Sequence, residues 1–450
     1  MSSLPLQQIS GRASYDAAAR VSFVKMTARK WRLVRLFERV LRLALPFLPA
    51  PQSTAGTHAA PKRILVVEYW NLGDLAILVP FLRALRSAFP RAHISLLLKP
   101  GLVSFLDGQK LVDEFIPVRV PWAQHLDRWK KYNPFSRNWI SLFRALASLR
   151  KSRFDLAFSG RMDIRDNLLL WLSGARRRIG YGFAGGEFLL TDSVFPDFAR
   201  LHRADVWLHL LDNFKLATLG DEGSYELTKA EIASAEAFLK SLGISQESRV
   251  VGIHPAARIR SRRWGDERFA EVARDILETT DAHILWFTEP GEQSEPPRMD
   301  RCHEVKIAFR SFIGVLSFCD LLVCNDSGPM HIANLLGVPV VAVFGPQRPE
   351  WFGPRGPQDR VVIRPEMWCR PCFDYCMFGE PHCLRSITPA EVIRAVTEFA
   401  GAQQERELAT PSLNSSRRSG MESIDDSRTR ARTDCSAAPE ISHAEMRFLS

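Results

Sequence analysis

Three short segments of this sequence place reactive residue types directly after runs of apolar, β-branched residues. The first is Asn71-Leu-Gly-Asp-Leu75, after Ile64-Leu-Val-Val-Glu-Tyr69. Gly73 permits a tight strand-to-helix turn. Asp74 falls where the next helix begins and has two readings. Aspartate is a good helix cap. It is also a suitable general base, able to take a proton from an attacking hydroxyl. With a single glycine the loop is not the Gly-x-Gly-x-x-Gly of dinucleotide folds. The second segment, His254 to Trp264, follows Val250–Ile253 and holds Arg258, Arg260, Arg262 and Arg263. Guanidinium groups pair well with phosphate oxygens, so an anion is the natural guest; the other reading is a solvated basic loop. The third segment, Asn325-Asp-Ser-Gly-Pro-Met-His331, turns from a strand into a helix that starts at Pro329. Its unpaired N–H groups and positive helix end suit a phosphate, with the Ser327 hydroxyl and His331 at hand.

A fourth segment carries Cys369, Cys372 and Cys376, with Cys383 beyond. These spacings lack the paired C-x2-C pattern of structural zinc sites. They would still permit a zinc or iron–sulfur site; the expectation is reduced cysteines without a metal, with that site as the lesser reading.

The elements that position these segments alternate strand and helix. From Lys62 to about residue 220, the strands Ile64–Tyr69, Ile94–Leu98 and Asp155–Phe158 interleave with helices such as Leu75–Phe89. From about Glu226 a second series follows: helix Lys229–Leu242, strand Val250–Ile253, helix Phe269–Leu277 and strand Ile284–Phe287. Strand Leu321–Cys324, helix Pro329–Leu336, strand Val338–Phe344 and helix Thr388–Phe399 complete it. This is the rhythm of two parallel, doubly wound α/β domains. Such sheets bind ligands past the carboxyl ends of their strands, here facing an interdomain cleft. The expected division is 1–61 for a basic extension and linker, 62–220 and 221–400 for the two domains, and 401–450 for a tail. The tail is rich in Ser, Thr and charge, which reads as disorder.

The chain is 450 residues long, 46% hydrophobic, with net charge +10. Residues 1–63 hold eleven of the Lys and Arg against two acids, Asp16 and Glu38, so the body is nearly neutral. That distribution argues against a nucleic-acid binder. Over 16–47, Leu33, Phe37, Val40, Leu41, Ala44, Leu45 and Leu48 recur at helical spacing among Arg32, Arg35, Arg39 and Arg42. The expectation is an amphipathic helix lying in an anionic headgroup layer; the other reading docks it on the protein's own body. Neither a secretory leader nor an apolar run long enough to span a bilayer is evident, so the expected place is the cytoplasm, peripheral on the inner face of the membrane.

The ordered set Leu-Gly-Asp74, Pro80-Phe-Leu-Arg-Ala-Leu, Gly174-Ala-Arg-Arg-Arg-Ile-Gly-Tyr181, His254-Pro, Arg262-Arg-Trp264, Asn325–His331, Gly337–Gly345 and Ile387–Val392 resembles glycosyltransferase family 9, the ADP-heptose:lipopolysaccharide heptosyltransferases. The likeness spans roughly residues 62–400. It implies a GT-B fold, two Rossmann-like domains facing a cleft, and an inverting, metal-independent transfer with no cofactor beyond a nucleotide-sugar donor, ADP-heptose. It implies Asp74 as the base. Arg262 stands where the family has a lysine for the donor phosphates. Asp326, Ser327, Gly328, Pro329, Met330 and His331 match the donor turn. Glu292, or failing it Glu289, matches the family's ribose-binding glutamate. Asn71, Gly73, Arg176, Arg177 and Arg178 are the acceptor candidates, the acceptor being an anionic lipid-linked saccharide at the inner leaflet. Glu68 departs from the family, where a basic residue is common. Two alternatives stay open: a family 9 transferase with another nucleotide sugar or glycan acceptor, and an inactive GT-B membrane adaptor.

Overall fold

The computed structural model describes residues 28–44, 60–123, 133–195, 201–214, 225–289 and 294–409. Glu292, most of the linker, residues 16–27 of the expected basic helix and the tail from 410 onward lie outside the described residues. The chain divides into two compact units. The first comprises residues 1–70 and 78–221, and the second residues 222–450 together with Asn71–Ile77.

In the first unit, α1 (Ala28–Ala44) precedes β1 (Arg63–Val67), α2 (Leu72–Ala88), β2 (His93–Leu98) and β3 (Glu114–Pro117). Then come α3 (Arg137–Ser152), β4 (Leu156–Phe158), α4 (Ile164–Leu172), β5 (Arg177–Gly180), β6 (Asp192–Ser193) and α5 (Arg203–Leu208). Its sheet runs β3-β2-β1-β4-β5-β6, every pair parallel. Ile64 to Val67 are buried along their whole length, the unbroken apolar run that a sheet covered on both faces demands.

The second unit contains α6 (Lys229–Ser241), β7 (Val250–His254), α7 (Asp266–Thr279), β8 (His283–Phe287), β9 (Cys302–Val305) and α8 (Phe309–Leu316). They are followed by β10 (Leu321–Asn325), α9 (Gly328–Leu336), β11 (Val340–Phe344), β12 (Arg360–Ile363) and α10 (Pro389–Ala409). This sheet is also parallel, in the order β12-β11-β10-β7-β8-β9. Its core stacks Trp286, Val323 and Val341 against Phe269, Ile276 and Phe399 of the helices. Local signals agree with the elements. Thr228 and Glu231 form a capping box on α6. Pro329 opens α9, and Gly337, at φ +73°, closes it.

Both sheets change winding direction beside their first strand, at β1/β4 and at β7/β10. Crevices past the carboxyl ends of such strand pairs are where open α/β sheets bind ligands. Each unit is therefore a Rossmann-like, doubly wound α/β domain. No helix among the described residues is long and apolar enough to cross a membrane.

Candidate active site

The segment Asn71–Ile77 leaves β1 and groups with the second unit, where the reactive loops meet. Helix α2 begins at Leu72, so Asp74 is its third residue rather than its cap. Asp74 Oδ2 accepts from the Asn71 N–H at 3.2 Å, the reach-back half of a capping box. That bond fixes the carboxylate against the turn. Asn71 is held in turn by Arg258, whose Nη1 donates to Asn71 Oδ1 at 2.7 Å.

The first turns of α2 and α9 abut. A Cβ on Gly73 would lie 3.0 Å from His331 Cδ2, and one on Gly328 would lie 3.3 Å from Leu72 Cδ2. A side chain on either glycine would be in tight contact across this approach. Two helix amino ends therefore converge, and their fields favour an anion between them. The His331 imidazole is pushed down to about 4, mainly by burial, with Asp74 opposing and Arg262 assisting. It is neutral at pH 7, able to donate or accept one hydrogen bond.

Arg262 is the hub of an ionic network at the carboxyl edge of the second sheet. Its Nε and Nη2 donate to the two carboxylate oxygens of Asp374 at 2.7 and 2.8 Å. Its Nη1 reaches Asp326 Oδ1 at 3.3 Å. Gln347 Nε2 donates to Asp374 Oδ2 at 2.8 Å. Burial works against the Arg262 charge, but Asp326 and Asp374 outweigh it and the guanidinium stays protonated. Burial raises the Asp326 carboxyl to about 6, with Arg262 pulling it down and Asp374 pushing it up. Among the described residues, Ser327 Oγ and Asp326 Oδ2 are buried without a hydrogen-bond partner. Ser327 stands in the cap position of α9 without capping it. Orphaned polar atoms beside a helix start are what a polar ligand would satisfy.

Asn325 holds these loops in place. Its Oδ1 accepts from Trp264 N at 3.1 Å and its Nδ2 donates to Pro255 O at 2.6 Å. Trp264 Nε1 donates to Ile387 O at 3.0 Å, tying the Arg262 loop to the segment before α10.

The structure thus brings together Asn71, Gly73, Asp74, Arg262, Asp326, Ser327, Gly328 and His331. It adds Arg258, Gln347 and Asp374, which the sequence reading did not single out as site residues. Other candidates fall elsewhere. Met330 is fully buried and Pro329 forms the covered first turn of α9, so both side chains take part in packing. Arg176, Arg177 and Arg178 sit at the amino end of β5, the wrong edge of the sheet for an acceptor. Arg177 pairs with Asp192 at 2.7 Å and Arg176 with Asp155 at 3.7 Å. Arg178 is buried, donating to Leu189 O and Ala175 O at 2.7 and 2.8 Å. Backbone and carboxylate partners, not a ligand, account for this basic run. Glu289 is buried just past β8. Cys369, Cys372 and Cys376 are partly exposed and Cys383 is buried. Among the described residues no three His, Cys, Asp or Glu side chains are grouped to hold a metal. A cavity of about 690 Å³ lies in the first unit, lined by Ile116, Val118, Arg137, Ile140 and Arg144. It has no carboxylate among its lining residues and is not a site for proton transfer.

A model of glycosyltransferase family 9 (heptosyltransferase) matches residues 142–381. Lipopolysaccharide heptosyltransferase 2 of Salmonella typhimurium is 23% identical over 326 residues, covering 67% of this chain and 87% of that protein. A solved family 9 glycosyltransferase from Veillonella parvula superposes with a TM-score of 0.59 at 22% identity, covering 75% of this chain and 97% of its own. An E. coli heptosyltransferase solved with ADP-2-deoxy-2-fluoro heptose gives 0.57 at 16% identity, with 76% and 99% covered. At these identities the two structures show the fold alone.

Proposed function

The chain belongs to glycosyltransferase family 9 and is a glycosyltransferase; from that premise we propose that it transfers heptose from ADP-heptose to the inner core of lipopolysaccharide, with inversion and without a metal ion. The observation that carries this is the Asp74 carboxylate, fixed at the start of α2 in the same unit as Arg258, Arg262 and the amino end of α9. The names of the relatives support the donor and acceptor classes.

In this reading the acceptor hydroxyl meets Asp74, which removes its proton as the new bond forms. The diphosphate departs from the opposite face of the anomeric carbon, so a single displacement inverts the centre. The charge growing on the leaving group is met by Arg258, by Arg262 and by the N–H groups at the start of α9, a fixed electrostatic cradle that does the work a divalent ion would do elsewhere. Ser327 Oγ donates to the same anion. Glu289 or Glu292 takes the ribose hydroxyls. The enzyme acts on the cytoplasmic face of the membrane that carries its lipid-linked acceptor.

One observation favours a variant of the acceptor. Glu68 is buried and forms a paired contact with Arg161, at 3.2 Å to Nε and 3.1 Å to Nη2. Arg161 also lies 5.1 Å from the Trp70 ring centre. Positive charge therefore reaches the carboxyl edge of the first sheet from β4 rather than β1, already matched by a carboxylate. An acceptor less anionic than the family's usual one fits that arrangement.

The test is acceptor-dependent ADP release from ADP-heptose with a truncated lipid A core saccharide, in excess chelator, beside a panel of other nucleotide sugars. Release from ADP-heptose alone supports the assignment. Release only from another donor overturns the heptose reading, and loss of activity in chelator overturns metal independence.

A further inference from the structure

Helix α1 carries three faces, because successive residues turn by about 100°. One face is seated on the first unit. Glu38 Oε1 accepts from the Gly186 N–H at 2.7 Å. A Cβ on Gly185 would come within 2.8 Å of Val34 Cγ1, so that glycine, at φ +108°, leaves room for the helix. The loop beneath is itself fixed, since the buried Asn167 donates to Gly185 O at 2.9 Å and to Tyr181 O at 3.0 Å. Arg42 stacks over Phe188, 4.1 Å from the ring centre. The second face is apolar and open: Leu33 is 59% exposed, Leu36 58%, Phe37 44%, Val40 57% and Leu43 75%. The third is basic, with Arg32, Arg35, Arg39 and Arg42 all exposed. The helix's single acid, Glu38, is turned inward. What the helix itself turns outward is therefore apolar surface bordered by arginines.

We propose that this outward face of α1 is a fixed contact surface for an anionic bilayer. An isolated apolar stripe does not identify its cover, but this one is flanked by exposed arginines, which select a negatively charged, apolar-cored partner. The seat adds a consequence. Gly185 and Gly186 lie on the loop that leaves the carboxyl end of β5, the sheet edge from which β1 leads toward Asn71. A helix pinned there does more than tether the protein. It sets that edge of the first unit toward the membrane, where a lipid-linked acceptor presents its sugar. Glu38 is a positioning residue in this scheme. The orientation rests on the acceptor reading above; the binding does not.

The experiment uses the full chain and vesicles of phosphatidylcholine with or without phosphatidylglycerol, by co-sedimentation without donor or acceptor. Expected is salt-sensitive binding to the phosphatidylglycerol vesicles only. Arg32→Gln and Arg39→Gln each weaken it about fivefold, and the double variant Leu36→Asp/Phe37→Asp abolishes it. Leu33→Asp/Leu43→Asp, on the same face, should do likewise, and turnover of a water-soluble acceptor reports that both variants remain folded. Equal binding to neutral vesicles, or retention of binding in both double variants, overturns the proposal. So does concentration-dependent self-association lost in those variants, which would make a second copy the cover. For the pin, Glu38→Ala should keep vesicle binding yet raise KM for vesicle-borne acceptor without changing KM for the soluble one. Glu38→Gln retains an oxygen for the Gly186 N–H and should restore it. An unchanged vesicle KM in Glu38→Ala would show a loose tether and overturn the fixed orientation.

Discussion

Replacing Asp374 by alanine isolates the ionic network around Arg262. The substitution removes both Arg262–Asp374 bonds and the Gln347 bond. The pair is mostly covered, with 23% and 18% of the two side chains exposed. Breaking one partner of a covered ion pair costs about 3–5 kcal/mol. Asp326 at 3.3 Å still faces the guanidinium, so the lower end, about 3 kcal/mol, is the expected loss. For a unit of this size that corresponds to a fall in Tm of about 6–12 °C. Arg262 then swings toward Asp326 and ADP binding weakens about tenfold, the equivalent of one charge-assisted hydrogen bond. Calorimetric unfolding and ADP titration measure both quantities. Asp374→Asn, which keeps one acceptor oxygen, should fall between wild type and alanine in each. An alanine variant with unchanged Tm and unchanged ADP affinity refutes the network. One that binds ADP more tightly refutes the positioning role, because Asp374 would then be a competitor of the phosphates.

Two further substitutions probe packing and burial. Gly73→Val forces a branched side chain against His331, 3.0 Å from where its Cβ would sit. Overpacking of this kind costs about 1–3 kcal/mol and should separate the first turns of α2 and α9, lowering kcat more than stability; an unchanged kcat would show that the close approach is unimportant. Asp166 is 1% exposed and its carboxyl is raised to about 7, chiefly by burial and then by Asp163. A raised acid is a cost absent below about pH 4 and complete above about pH 7, so Asp166→Asn should stabilise increasingly across that window, by about 1.4 kcal/mol per pH unit at most. His254 and His331, both lowered to about 4 by burial, run the opposite way as pH falls below 6.5. Hence only the difference in Tm between variant and wild type is diagnostic, and a pH-independent difference would contradict the burial argument.

The loops of the proposed site were legible because chemistry in parallel α/β sheets collects past the strand ends. Asp74 and Asp326–His331 both obey that rule. Arg176–Arg178 precede a strand rather than follow one, and Asp155, Asp192 and two carbonyls are their partners. Asp374 was hidden among cysteines in a stretch without periodicity, where its φ of +72° leaves no sequence mark. The edge strands also escaped notice. β6 is two residues long, and β12 offers only the short run Val361-Val-Ile363 in a half-buried strand, so both signals are weak. Helix α1 was readable as amphipathic, yet its apolar residues divide. Val34 and Leu41 turn partly inward, while Leu33, Leu36, Phe37, Val40 and Leu43 stay outside. The reading that docks the helix on the protein's own body therefore holds for one of its faces.

The most direct measurement compares Asp74→Asn with wild type in acceptor-dependent ADP release, with ADP affinity measured in parallel. The amide keeps an oxygen for the Asn71 N–H, so the start of α2 should hold its shape, but it cannot take a proton. The account requires kcat to fall by about 10²–10⁴ while ADP affinity stays within a few-fold. A variant that turns over at the wild-type rate, or that loses activity only because ADP no longer binds, would contradict Asp74 as the base.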